Sequence, residues 1–259
     1  MNGHSRLYWG ISDSTVMIGR SLRHTTRNVD SLLLSAALPV MLMLLFVYVF
    51  GGAIGTTRAQ YVNYVVPGII LLCTGYGAST TAVSVAHDMA TGVIDRFRSL
   101  PILSSAVLTG HVVASLARNA FATLLVIGVA VAVGFRTDAS ALNWLAVAGV
   151  LGLYVLAMSW ASVALGLLAK SVEGASGFTF FVLFLPYLSS AFVPTDTMPV
   201  GLRAVADNQP VTPVIETVRG LLHGTPIGDS GWLATLWFGV ILLAGYLSAT
   251  YLFRRRTAR

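Results

Sequence analysis

The chain is short of charge. Only 10% of its 259 residues are Asp, Glu, Lys or Arg, against about 25% in an ordinary soluble domain. That is too few to cover a water-exposed surface. It has one cysteine, Cys73, so no intrachain disulfide can form, and no Cys/His spacing suits a metal. It has one lysine, Lys170, followed by Ser171. A phosphate-binding P-loop needs two glycines flanking four residues ahead of that pair, and Ala164 and Ala169 stand there instead. The chain therefore does not hydrolyse ATP by that device. The first thirty residues lack the apolar core of a signal peptide, which implies an N-terminus that stays as made.

What the chain has is apolar residue, 56% of the total, with mean hydropathy +0.78. It comes in long blocks, and about 20 helical residues cross the ~30 Å hydrocarbon core of a bilayer. Six blocks read as spans, at about 32–54, 64–86, 107–135, 144–168, 175–193 and 232–253. The third is best anchored from Asn119 onward. Pro39, in the first, is tolerable where neighbouring helices satisfy the freed carbonyl. The expectation is an all-α integral membrane protein of six transmembrane helices, forming one membrane domain over 1–259.

The net charge of +6 does not point to nucleic acid, because the basic residues cluster at the ends of apolar blocks. With both termini on one side, that side holds Arg6, Arg20, Arg23, Arg27, Arg96, Arg98, Arg118, Lys170, Arg254, Arg255, Arg256 and Arg259. The other keeps Arg58, Arg136, Arg203 and Arg219. Twelve against four is a positive-inside bias that implies N-in, C-in. No Asp, Glu, Lys, Arg or His is expected in the cores of the spans, which weighs against proton relays and sodium sites.

Three segments do not span. Residues 5–29 carry Leu7, Ile11, Ile18, Leu22 and Val29 on one face and Arg20, Arg23, His24 and Arg27 on another, the pattern of an interfacial helix. Residues 87–106 place Val93, Ile94, Phe97 and Leu100 on one helical face after Gly92, and Pro101 stops the helix. An exposed apolar face of this kind packs either on the membrane surface or in a groove of a soluble partner. Residues 194–231 are too long for a plain connection. Val214, Ile215, Val218, Leu221 and Leu222 form a stripe there, with Glu216 and Arg219 opposite. Pro213 suits a helix start and Gly224 a stop. One or two short helices are expected, either dipping partly into the outer leaflet or forming a surface cap with no transport role.

Gly174-Ala175-Ser176-Gly177 resembles the nucleophile motif of rhomboid proteases. A serine nucleophile needs a base within reach, and the last span contains no histidine. Close helix packing accounts for the small residues more simply.

The stretch Asp88-Met-Ala-Thr-Gly92-Val-Ile-Asp-Arg96-Phe97-Arg-Ser99-Leu-Pro101 resembles the cytoplasmic loop of ABC type-2 exporter permeases, most closely the daunorubicin-resistance type. Asn208-Gln209-Pro210 followed by Arg219-Gly220-Leu221 is similar to a second family feature. The resemblance covers nearly the whole chain. It implies a permease subunit without catalytic residues, paired with a second permease copy or sister permease. It also implies two copies of a separate ATP-binding subunit, which would carry ATP and Mg. Asp88, Gly92, Val93, Ile94, Arg96, Phe97, Arg98 and Pro101 map by resemblance onto the coupling helix that docks that subunit. Many relatives carry glutamates in this loop, where this chain has Asp88 and Asp95. The implied activity is export of an amphiphilic drug, lipid or glycolipid across a plasma membrane, of bacterial type. A protease-like enzyme and a non-transporting anchoring subunit are the alternatives.

Overall fold

The computed structural model describes residues 29–51, 57–92 and 104–257, with the side chains of a few helix-end residues left aside. Among these the regular structure is helical throughout. The interfacial helix expected over 5–29 lies outside the described residues, Val29 excepted.

Helix α1 (Val29–Leu45) continues into a π-helical turn, Phe46–Phe50. α2 (Arg58–Ala90) starts on a reciprocal cap: the Gln60 amide donates to the Thr57 hydroxyl, and the Thr57 amide donates to Oε1 of Gln60. α3 is Ser104–Val133 and α4 is Ala141–Leu168, the latter capped by Ser140. α5 is Val172–Phe184, closed by a 3-10 turn at Leu185–Leu188. Two short helices follow, α6 (Val200–Asn208) and α7 (Val211–His223), and then α8 (Ser230–Thr257).

α2, α3, α4 and α8 are long and apolar enough to cross a bilayer. Two shorter apolar helices, Ala36–Phe50 and Val172–Leu188, accompany them. The protein is an all-α integral membrane protein. The fifth block departs most from its expected range of 175–193. Pro186 has no N–H to donate, and the helix tightens into the 3-10 turn before reaching 193.

α2 is the hub. It packs against α1, α3, α4 and α5, and most of its length is buried. Val62, Val65, Val66, Ile69, Ile70, Leu71, Leu72 and Cys73 point around the helix and are all buried, as expected for a helix apolar on every side. In lipid, helices associate by close packing rather than by hydrophobic segregation, and small residues permit the approach. A Cβ on Gly68 would stand 2.6 Å from the Ala191 Cβ, and one on Gly245 of α8 2.8 Å from the Ala161 amide of α4. Tyr154 of α4 meets Phe238 of α8 edge-on at 4.8 Å, and Trp160 meets Tyr246 likewise at 4.9 Å. α7 wedges among α2, α4 and α8 at the end of the bundle where α2 begins.

Candidate functional site

Three polar constellations stand out on this apolar frame, one at each end of the bundle and one in the middle. The first lies where α2 ends. Thr91 closes the helix, its amide and hydroxyl both donating to the His87 carbonyl at 2.9 Å. Gly92 then takes φ +68°, a left-handed conformation that glycine adopts without steric cost. The chain is thereby released into residues 93–103, outside the described residues, and returns as α3. Of the residues expected in the docking loop, Asp88 and Gly92 are therefore described, while Val93, Ile94, Arg96, Phe97, Arg98 and Pro101 are not. Asp88 Oδ2 stands 3.2 Å from His111 Nε2 on α3. The pair ties together the two stems from which the loop hangs.

The second constellation is at the opposite end. Asn208 closes α6, its side-chain amide donating to the Ala204 carbonyl. Gln209 bridges out of the α6–α7 junction, its Nε2 donating to the carbonyls of Leu188 (2.6 Å) and Leu185 (3.2 Å). Pro210 caps α7, and Gly224 ends it at φ +67°. Pro213 falls inside the first turn of α7 rather than at its start. Arg219, expected opposite the apolar stripe, is turned inward, its side chain only 12% exposed. It pairs with Glu216 at 2.5 Å and donates to the carbonyls of Ser190 (2.7 Å) and Tyr64 (3.3 Å). His223 reaches the Asn63 carbonyl at 2.9 Å, and Asn143 donates to that of Leu221 at 3.1 Å. Polar side chains thus fasten α7 to α2, α4 and the end of α5. The reason is physical. α7 dips among the long helices, so its polar face meets exposed backbone carbonyls instead of water.

The third constellation corrects the expectation that the cores of the spans hold no charge. α3 runs unbroken from Ser104, and Arg118 lies halfway along it. Arg118 therefore does not belong with the charges at the loop end, where the positive-inside count had placed it. Its Nη2 donates to the Gly77 carbonyl and the Thr80 hydroxyl of α2, both at 3.2 Å. Its Nε is buried without a partner. Beside it, Asn119 donates to the Ser115 carbonyl at 2.9 Å, and the Ser159 hydroxyl of α4 donates to Ser115 Oγ at 2.9 Å. The Thr179 hydroxyl of α5 donates to the Ser79 carbonyl at 3.2 Å. The glycine at 77 makes room, because a side chain there would collide with the Asn119 amide. An arginine at the centre of a spanning helix costs about 2.5–3.5 kcal/mol on insertion scales, so such residues face the bundle and serve function. The signal was present in the sequence as a single arginine inside the third apolar block.

Among the described residues Ser176 makes no hydrogen bond to a histidine. Its hydroxyl donates to the Val172 carbonyl one turn back, 3.0 Å away, and His223, at the other end of the bundle, is engaged with Asn63. Among the described residues no group of three His, Cys, Asp or Glu could hold a metal.

The sequence matches the ABC-2 type transporter family over residues 14–223. A daunorubicin resistance ABC transporter permease protein, DrrB1 of Streptomyces coeruleorubidus, is 30% identical over 223 residues, covering 85% of this chain and 78% of that protein.

Proposed function

Because this chain belongs to the ABC-2 type transporter family and is a multi-pass transmembrane subunit of a transporter, we propose that it is the permease of an ATP-driven exporter in a bacterial plasma membrane. Its cargo is an amphiphilic drug, lipid or glycolipid taken from the cytoplasm or inner leaflet. Two copies of a separate ATP-binding subunit, with ATP and Mg, supply the energy. A second copy of this chain or a sister permease completes the pathway, and residues 1–259 act as one membrane domain. The ends of α2 and α3 at Asp88 and His111 face the cytoplasm, as do both termini.

The observation that carries this reading is the family match over most of the chain. The location of the loop supports the mechanical part. Residues 93–103 hang between the hub helix α2 and α3, and the hub touches α1, α3, α4 and α5. A push on the loop is thereby delivered to the element that contacts most of the bundle. In this reading Val93, Ile94 and Phe97 fill an apolar groove of the ATP-binding subunit. Arg96 and Arg98 anchor its polar rim, Gly92 sets the turn, and Pro101 ends the helix.

The test is copurification in mild detergent from the native membrane. A soluble-type ATPase should accompany the unaltered chain and be lost from the Arg96→Glu, Phe97→Asp double variant. Retention of the ATPase by that variant would sink the docking role. Absence of any ATPase from the unaltered chain would sink the exporter reading and favour an anchoring subunit.

A further inference from the structure

Arg118 puts a full positive charge at the middle of the bundle, and no described residue neutralises it. Its hydrogen bonds go to neutral acceptors, the Gly77 carbonyl and the Thr80 hydroxyl. Its Nε is buried without a partner, and so is the Oδ1 of Asn119 beside it. Joining α2 to α3 does not require a cation. The neighbouring Asn119–Ser115–Ser159 set joins α3 to α4 with neutral groups alone. A charged guanidinium at this depth is therefore in excess of what packing needs.

The counter-charge does not come from the described acids of this chain. Asp30, Asp88, Asp138, Glu173, Asp196, Asp207 and Asp229 lie at helix ends or in the connections between helices, and Glu216, on the short helix α7, is paired with Arg219. A second copy of the same chain in a symmetric homodimer brings the same described acids at the same depths, so none of these neutralises Arg118 from across the dimer either. The guanidinium is largely enclosed, with Nε buried, while Arg118 as a whole keeps some exposed surface. Phe121, one turn further along α3, is 44% exposed, and Leu124 is 69% exposed. An apolar surface thus runs away from the cation along the same helix.

We infer that Arg118 is a mid-membrane recognition point for an anionic amphiphile. The anionic head, a phosphate or carboxylate, pairs with the guanidinium, and the tail lies along Phe121 and Leu124. With Nη2 committed to Gly77 and Thr80 and Nε buried, Nη1 is the guanidinium nitrogen left to donate to such a head. The same charge repels a cationic amphiphile. This narrows the cargo class and rests on the transport reading above.

The test uses the full chain in nanodiscs of zwitterionic phosphatidylcholine, without nucleotide or partner. Two photoreactive probes with identical twelve-carbon tails are compared, an alkyl phosphate and an alkyl trimethylammonium, with inorganic phosphate as competitor. The phosphate probe should bind about tenfold more tightly than the ammonium probe and attach to α2 or α3 near Arg118. Inorganic phosphate should not displace it. Arg118→Gln should abolish the preference, and Arg118→Lys should keep most of it. Retained preference in Arg118→Gln, attachment elsewhere, or displacement by inorganic phosphate would each overturn the inference. If Arg118→Gln loses helix content or monodispersity, the attachment map on the unaltered chain decides. Because no ATPase is involved, failure here leaves the copurification result standing, and the reverse also holds.

Discussion

The Arg219 guanidinium lies over the Tyr64 ring, 4.0 Å from its centre. Both residues hold the same acceptor, the Ser190 carbonyl, at 2.7 Å from Arg219 and 2.9 Å from the Tyr64 hydroxyl. Three elements meet at that point: α7, α2 and the segment after α5. Replacing Arg219 by Ala takes from Glu216 its partner and from the Ser190 and Tyr64 carbonyls one donor each, the Tyr64 hydroxyl still serving Ser190, and should cost about 2–3 kcal/mol, since hydrogen bonds to charged groups are the strong ones. Arg219→Lys should recover little, because one ammonium does not reproduce the planar fork. Tyr64→Phe keeps the ring under the cation and should cost only about 1 kcal/mol. Unfolding in mixed micelles, followed by circular dichroism, reads the three variants. Equal losses for Arg219→Ala and Tyr64→Phe would show that the guanidinium carries no more than the hydroxyl.

The Asp88–His111 pair makes a different kind of prediction, because both side chains are partly exposed, at 28% and 18%. A pair of this kind is worth about 0.5–1 kcal/mol, so neither Asp88→Asn nor His111→Gln should unfold the bundle. Each should instead loosen the stems of the loop. In a double-variant cycle, a coupling of about 0.5–1 kcal/mol is expected if the two act on each other. Full additivity would mean that they hold the loop separately or not at all. The companion measurement is ATPase recovery on copurification, which should fall in either variant while helix content stays constant.

How much of this was legible beforehand depends on the length scale of the signal. The spanning blocks were readable because some twenty apolar residues in succession match the thickness of a bilayer and little else in protein structure. The short helices α6 and α7 were readable from Pro and Gly punctuation and one apolar stripe. Arg118 was not, because averaging over a long window hides one charge, and anchoring the third block from Asn119 onward left Arg118 just outside its core. Arg219 was misjudged for a related reason. Periodicity separates apolar from polar faces, but it cannot tell a polar face that meets water from one that meets backbone carbonyls. The early end of α5 was written in Pro186, yet the apolar run continued beyond it and masked the break. Residues 93–101, where the sequence motif is densest, lie outside the described residues.

Glycines in the spans divide into two classes that should respond oppositely to the same change. Gly68 faces Ala191 so closely that an added Cβ would stand 2.6 Å from its Cβ and 2.7 Å from its carbonyl oxygen. The obstacle includes backbone, so Gly68→Ala forces α2 and the post-α5 segment apart and should cost about 1–3 kcal/mol. Gly128 on α3 has nothing within 4 Å of such a Cβ, and Gly128→Ala should be neutral or stabilising by up to about 1 kcal/mol through helix propensity. Thermal aggregation midpoints in one detergent compare the two directly. A loss at Gly128 matching that at Gly68 would point to a further protein surface against α3, such as a second permease.

The orientation can be tested with the chain's own chemistry. Cys73, the single cysteine, sits in the hub helix and is buried, so a membrane-impermeant maleimide should leave the unaltered protein unlabelled in intact and in permeabilised cells. That silence makes introduced cysteines readable. Val205 on α6 is exposed, and Lys170 is exposed in the short connection between α4 and α5. These positions belong to opposite ends of the bundle, because α5 must traverse it to reach α6. With both termini in the cytoplasm, Val205→Cys should label in intact cells, and Lys170→Cys only after permeabilisation. The reverse pattern would invert the topology and place residues 93–103 on the outer face, where no ATP-binding subunit could reach them. The arginine excess at the loop end, even without Arg118, argues for the first outcome, since basic residues are retained on the cytoplasmic side during insertion.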